Sequence, residues 1–268
     1  MIPKVDYHMH TPLCGHATGE PEEYVAQALK VGLSEIGFSD HAPLVSYEDA
    51  RYTMNRSQLS KYHEMIECVQ KKFSNFTIKL GLEADFIPGY EKETKKILDG
   101  YPYDFVIGSV HFIDRWAFDD PDPSQKVKWR DKDVDTVYRD YYSLLRRSAE
   151  SGLFDIIGHV DLVKKFGHRA SSNLTPEVEA AAKVFKRAGV TVEVNTSGLR
   201  KPVAEIYPSL EVLKVYNRAG VPITFSSDAH DPQDVGRDYD KARDLALAAG
   251  YTEYRVFKKR QVERMEKL

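Results

Sequence analysis

The stretch Lys4-Val5-Asp6-Tyr7-His8-Met9-His10 runs from a short β-prone segment straight into a His-x-His pair. Residues i and i+2 of a strand project to the same side, so His8 and His10 share one direction and can bind one cation together. Working outward, further β-rich segments bounded by turn signals span Glu35 to Ser39, Thr77 to Leu82, Asp104 to Val110, Phe154 to Gly158, Val190 to Val194 and Pro222 to Ser226. Amphipathic stretches lie between them. Val25, Ala28, Leu29 and Gly32 fall on one helical face; Val134, Val137, Tyr138, Tyr141, Leu144 and Leu145 make a longer stripe; Val178, Ala181, Val184 and Phe185 make a third. Thr175-Pro176-Glu177 reads as an N-cap, a first-turn proline and a first-turn acid, and Gly152, Gly189, Gly220 and Gly250 read as helix stops.

Strand and helix therefore alternate about seven times, which implies an α/β fold of parallel strands covered by helices, either a barrel or an open doubly wound sheet. No Gly-x-Gly-x-x-Gly or Walker-type loop follows a strand, so the nucleotide-binding open sheet has no support. The 268 residues match the usual size of one α/β barrel, and no Pro/Gly/Ser-rich linker interrupts them, so residues 1–268 are expected to form one domain. Two connections are long. One runs from Ala42 to about Arg56; the other, from Phe112 to about Asp133, holds Trp116 and Trp129. Such excursions are lids over a site or surface segments anchored by their tryptophans.

Charge is nearly balanced, 38 Lys+Arg against 41 Asp+Glu, which argues against a broad basic face for nucleic acid or anionic lipid. No apolar run approaches a membrane span, and the N-terminus lacks a signal-peptide pattern. The two cysteines, Cys14 and Cys68, are too few for a disulfide framework. A soluble cytoplasmic protein is expected. The C-terminal run Lys258 to Lys267 intersperses acids with its bases and reads as a solvated final helix.

Seven of the nine histidines, with two carboxylates, fall at or just after strand ends: His8, His10 and His16, then His41, Glu83, His111, His159, Asp228 and His230. In a parallel barrel the carboxyl ends of all strands meet on the face that carries active sites. Any one of these residues alone is an ordinary rim residue, but six strands repeat the placement. Imidazole and carboxylate are the usual ligands of Zn²⁺, Fe²⁺ or Mn²⁺, and nine ligands suggest two or three ions with a bridging carboxylate. Structural zinc sites saturate with cysteine, so this donor set suits an open, catalytic centre. His63 and His168 lack such placement and read as structural or exposed, Cys68 as a small apolar side chain, and Cys14 as a buried bystander. Asp85 and Asp161 are candidates to orient imidazoles or to contact a bound ligand. Phe112, Trp116 and Tyr47, in the long loops, are candidates for contacting a bound ligand.

In order, His-x-His, His, Asp-His, Glu, His, His and Asp-x-His resemble the polymerase and histidinol phosphatase (PHP) superfamily, and most closely its monofunctional histidinol-phosphate phosphatases. The segments Glu193-Val194-Asn195-Thr196-Ser197-Gly198-Leu199-Arg200-Lys201-Pro202 and Gly158 to Phe166 are similar to phosphate-binding and strand-end motifs of that family. The resemblance implies a distorted (β/α)7 TIM-like barrel of the PHP fold with a trinuclear centre. His8, His10, Glu83 and Asp228 would hold the first metal, Glu83, His111 and His159 the second, and His16, His41 and His230 the third. It also implies hydrolysis of L-histidinol phosphate to L-histidinol and phosphate in L-histidine biosynthesis, by in-line attack of a metal-bridging hydroxide. Glu83, Asp228 and Arg200 are the expected catalytic residues. Arg200, Ser197, Asn195, Asp161 and Lys164 are the expected substrate contacts, although Lys164, Lys165 and Arg169 together also read as a solvated basic face. The alternatives are another phosphomonoester, nucleotide or nucleic-acid ends, or a metal-binding protein without activity.

Overall fold

The structure, a computed structural model, describes residues 3–268. The first half alternates β1 (Val5–Asp6), α1 (Pro21–Val31), β2 (Glu35–Phe38), α2 (Leu59–Lys72), β3 (Thr77–Asp85), α3 (Glu91–Leu98) and β4 (Phe105–Ser109). A two-stranded hairpin, β5 (Phe112–Ile113) and β6 (Trp116–Ala117), and a short α4 (Pro123–Lys126) follow. The second half continues with α5 (Val134–Glu150), β7 (Ile156–Ile157), α6 (Thr175–Ala188), β8 (Thr191–Asn195), α7 (Leu210–Ala219), β9 (Ile223–Ser226) and α8 (Tyr239–Ala248). The chain ends in β10 (Glu253–Lys258) and β11 (Gln261–Lys267).

Seven strands make one parallel sheet in the order β1-β2-β3-β4-β7-β8-β9. Its two edges meet through a bridge between Met9 and Ala229, with His10 N–H donating to Ala229 O at 2.9 Å and Ala229 N–H to His8 O at 3.0 Å. The sheet is thus a nearly closed (β/α)7 barrel, joined where β1 and β9 deliver their strand-end residues. All seven expected strands are present within a few residues. Inside the barrel, aromatic bulk is matched by missing side chains. A Cβ on Gly81 or Gly37 would lie 2.4 or 2.5 Å from the Phe105 ring, so only glycine admits that ring, which packs 4.8 Å from Tyr7.

The helices bury the expected stripes: Val137, Tyr138, Tyr141 and Leu145 on α5, and Val178, Ala181, Val184 and Phe185 on α6. Three local readings are corrected. Leu29 on α1 is exposed, because the buried face is carried by Tyr24, Val25 and Ala28. Thr175 is the first residue of α6 and not its cap; Asn173 accepts a hydrogen bond from its amide at 3.0 Å. Cys68 is exposed on α2, on the side away from Tyr62, Ile66 and Val69.

The largest correction is the C-terminus, which is a β-hairpin and not a helix. Lys259 and Arg260, with φ of 50° and 62°, form its tight left-handed turn. Its inner residues Tyr254, Val256 and Phe257 are buried. The hairpin also pairs with the starts of barrel strands: Arg264 with Glu35 at 3.3 Å, Glu263 with Lys79 at 3.3 Å, and Arg260 with Asp155 at 2.7 Å. It therefore floors the barrel at the end opposite the strand-end histidines.

The excursion from Phe112 to Asp133 has structure of its own. Trp116 and Trp129 meet edge to face at 4.9 Å and are both buried, with indole N–H groups donating to Gln125 O at 3.2 Å and Phe118 O at 3.0 Å. Tyr52, in the other long connection, donates to Asp120 and ties the two together.

Candidate metal centre

All seven strand-end histidines and both carboxylates converge at the carboxyl end of the barrel. Backbone pairing fixes His8 and His10 on either side of Met9, with their rings 5.0 Å apart. Glu83, at the end of β3, stands between two groups of imidazoles and is almost wholly buried. Its Oε2 lies 3.1 Å from His8 Nε2 and 2.9 Å from His41 Nδ1, while its Oε1 lies 3.0 Å from His159 Nε2 and 3.6 Å from His111 Nε2. Asp228 Oδ1 faces His10 Nε2 at 3.3 Å and His8 Nε2 at 3.9 Å.

Most of these rings are oriented from behind, so that one nitrogen faces inward. Nδ1 of His8 pairs with Glu193 at 2.6 Å, that of His10 with Asp40 at 3.4 Å, and that of His111 with Asp85 at 3.0 Å. Backbone carbonyls do the same for His16, through Cys14 O at 3.0 Å, and for His230, through Asp228 O at 3.2 Å. A partner on Nδ1 of this kind leaves Nε2 as the donor to a metal.

Three of the inward atoms lack partners of their own. His8 Nε2, His10 Nε2 and Glu83 Oε2 are buried without a hydrogen bond, and His111 Nε2 faces His159 Nε2 at 3.2 Å. Buried polar atoms are normally satisfied, and orphans concentrated at one point call for a cation between them. The groups His8/His10/Asp228, His8/Glu83/His159 and His16/His41/His230 each bring donor atoms within 4.8 Å of one another. Residue types and distances therefore fit divalent metal ions.

The charges agree with this. Burial pushes the Glu83 carboxyl up, but His41, His8 and His111 overcome it and hold it well below the usual range. Asp228 behaves alike, burial being outweighed by His8 and His10. Burial and the neighbouring His41 and His10 lower His16 to about 4, so its imidazole is neutral at physiological pH and available as a ligand.

Asp228 has the most elaborate support. Its φ is 52°, an unfavourable backbone conformation held by its surroundings. Asn195 Nδ2 and Ser197 Oγ donate to its Oδ2 at 3.3 and 3.0 Å. Arg200 donates from Nη2 to Ser227 O at 2.6 Å and pairs through Nε with Asp234 at 3.0 Å, which leaves Nη1 buried without a partner. Arg200 is thus no solvated loop charge.

Other expected residues have different partners. Asp161 touches no imidazole; it pairs with Lys164 at 2.9 Å and accepts from Ser209 N–H at 3.3 Å. Lys164 is wholly buried, its Nζ on Asp161, Glu205 and Ile206 O, which corrects the reading of a solvated basic face there. Trp116 is committed to the excursion's own core, and His63 and His168 stack on Tyr101 at 3.7 Å and Trp129 at 4.2 Å, away from the centre. Sequence reasoning gave no role to Glu193, which accepts from His159 N–H at 2.6 Å besides orienting His8. Its signal was a carboxylate in the middle of an apolar strand.

A PHP domain family model matches residues 6–197. The chain belongs to the PHP domain family. Among relatives of this PHP protein, a Deinococcus radiodurans protein named "Probable histidinol-phosphatase" is 44% identical over 92% of this chain and 94% of its own length. The histidinol-phosphatase of Bacillus subtilis is 32% identical over 88% of this chain and 97% of its own. The crystal structure of a histidinol phosphate phosphatase from Lactococcus lactis, determined with zinc, L-histidinol and phosphate, superposes with a TM-score of 0.84 over 98% of this chain and 100% of that one, at 24% identity. That likeness shows the fold. No helix among the described residues is long and apolar enough to cross a membrane.

Proposed function

We propose that this PHP protein is a metal-dependent phosphomonoesterase that hydrolyses L-histidinol phosphate to L-histidinol and inorganic phosphate, a step of L-histidine biosynthesis in the cytoplasm, with residues 1–268 acting as one phosphoesterase domain. The observation that carries the reaction class is Glu83, buried with its two oxygens turned to two separate groups of imidazoles, beside the orphaned inward nitrogens of His8 and His10. Relatives matching along most of the chain, and named for histidinol phosphate, carry the substrate.

In this reading Glu83 would serve two metal sites, the first with His8, His10 and Asp228 and the second with His111 and His159, and His16, His41 and His230 would hold a third ion. Zinc, iron or manganese ions there would acidify water and neutralise phosphoryl oxygens. The chain's own part is positional and electrostatic. Glu193, Asp40 and Asp85 fix which imidazole nitrogens face the centre, while Asn195, Ser197 and Arg200 hold Asp228 in its left-handed conformation. Nη1 of Arg200 is the donor left over for a phosphoryl oxygen, for which a guanidinium is well matched.

The test is phosphate release by zinc-, manganese- or iron-loaded protein and by chelated protein, from histidinol phosphate, other phosphomonoesters and a labelled oligonucleotide. Metal-dependent turnover with preference for histidinol phosphate is expected. No turnover of any ester by loaded protein, or preference for an unrelated ester, would overturn the proposal.

A further inference from the structure

A carboxylate that the centre does not use stands on the same rim. Asp119 belongs to the long excursion, where its chain neighbours are pinned on both sides. The Phe118 ring packs edge-on at 5.6 Å against Tyr141, whose hydroxyl reaches His159 O at 3.3 Å, and Phe118 O accepts from the Trp129 indole. On the other side, Asp120 is held by Tyr52. Asp119 is therefore fixed over the His159 strand end by two anchors and not left to a loose loop.

Its Oδ2 accepts from Lys165 Nζ at 2.9 Å, and Lys165 follows the turn after His159. The Oδ1 atom has no hydrogen-bond partner among the described residues, and the side chain keeps 15% of its surface open. Burial opposes its charge, but Lys165, His111 and His159 outweigh that and hold it ionised, which also places it within charge range of two of the imidazoles. The other carboxylates of the rim are committed: Asp85 to His111, Asp40 to His10 and Thr11, Glu193 to His8 and the His159 amide, and Asp161 to Lys164. Resting on the reaction proposed above, the remaining question is what reads the organic part of the ester. That part carries an ammonium on the carbon next to the ester carbon, so a cation arrives beside the phosphate and close to the metal rim.

We propose that Asp119 is the specificity-determining carboxylate of this site, its free Oδ1 accepting a hydrogen bond from the α-ammonium of the amino-alcohol phosphate while Lys165 holds Oδ2. The excursion is then a fixed arm that carries a substrate-reading group across the metal face. A site built to bond a charged donor discriminates strongly against an analogue that lacks it, because the buried acceptor is left unpaired.

The experiment compares histidinol phosphate with its des-amino analogue, 3-(imidazolyl)propyl phosphate, on zinc-loaded wild type, Asp119→Asn and Asp119→Glu. Wild type should prefer the amino ester. Asp119→Asn should lose about 100-fold in kcat/KM on that ester, and change less than about threefold on the des-amino ester, with zinc content unchanged. Asp119→Glu, which keeps the charge and the pairing with Lys165, should recover part of the loss and report on the site even if the Asn variant folds poorly. Equal losses on both esters, loss of zinc, or no loss at all would overturn the assignment. Turnover of neither ester by the wild type would overturn the proposed reaction, and this inference with it.

Discussion

At the scale of single residues, the site depends on where each donor atom is aimed. Glu83 is surrounded by imidazoles on both oxygens, so its replacement by glutamine keeps the shape but removes the charge that joins the two groups. Glu83→Gln should lose metal, measured by elemental analysis, and at least about 100-fold in kcat, whereas His63→Ala, whose ring stacks on Tyr101, should keep both. Retention of wild-type turnover by Glu83→Gln would contradict the bridging role. Residue type was legible for all nine donors, since His and Glu at strand ends are visible in the sequence. Aim was not. Glu193 and Asp161 show why: both are acids beside a site motif, and only tertiary packing puts one on an imidazole and the other on a lysine.

At the scale of elements, the hairpin β10–β11 is the clearest case of local sequence giving way to its surroundings. Interspersed charges suit a solvated helix, yet Arg255, Arg260, Glu263 and Arg264 each find a partner at the start of a barrel strand. Arg260 makes a forked pair with Asp155 at 2.7 and 3.1 Å and also donates to Leu153 O at 2.6 Å. Arg260→Ala should therefore cost about 1–3 kcal/mol in urea unfolding. Its kcat should be unchanged, because the hairpin lies at the barrel end opposite the metal centre. A change in kcat without a change in stability would mean that the floor communicates with the site. The excursion makes the same point in reverse, for its length was plain in the sequence while its tryptophan-centred core and the placement of Asp119 were not.

At the scale of the whole molecule, a slightly acidic chain concentrates imidazoles at one end. Burial opposes protonation of His8, His10 and His111, but the surrounding acids win: Glu193 and Glu83 raise His8 well above its usual value, Asp228 and Asp40 raise His10, and Asp85 and Asp119 bring His111 to about 10. Metal binds the neutral ring, so loading must expel these protons, and affinity must rise with pH until they are gone. Zinc uptake by chelator-stripped protein should release protons and be weaker at pH 6 than at pH 8, as read by calorimetry in buffers of different ionisation enthalpy. Uptake independent of pH would show that these rings are already neutral in the stripped protein.

The sequence by itself determined the alternation of strands and helices and the kind of atom at each strand end, because period and residue type are local properties. It therefore determined an α/β fold of parallel strands with imidazole-rich strand ends. Tertiary structure alone decided that β1 and β9 meet, that the C-terminal charges floor the barrel, and that Glu83 stands between two groups of histidines. Those outcomes depend on contacts between residues far apart in the chain, such as Met9 with Ala229 and Arg264 with Glu35. A pairing of that kind has no periodic signature, since its energy exists only once the intervening chain has folded.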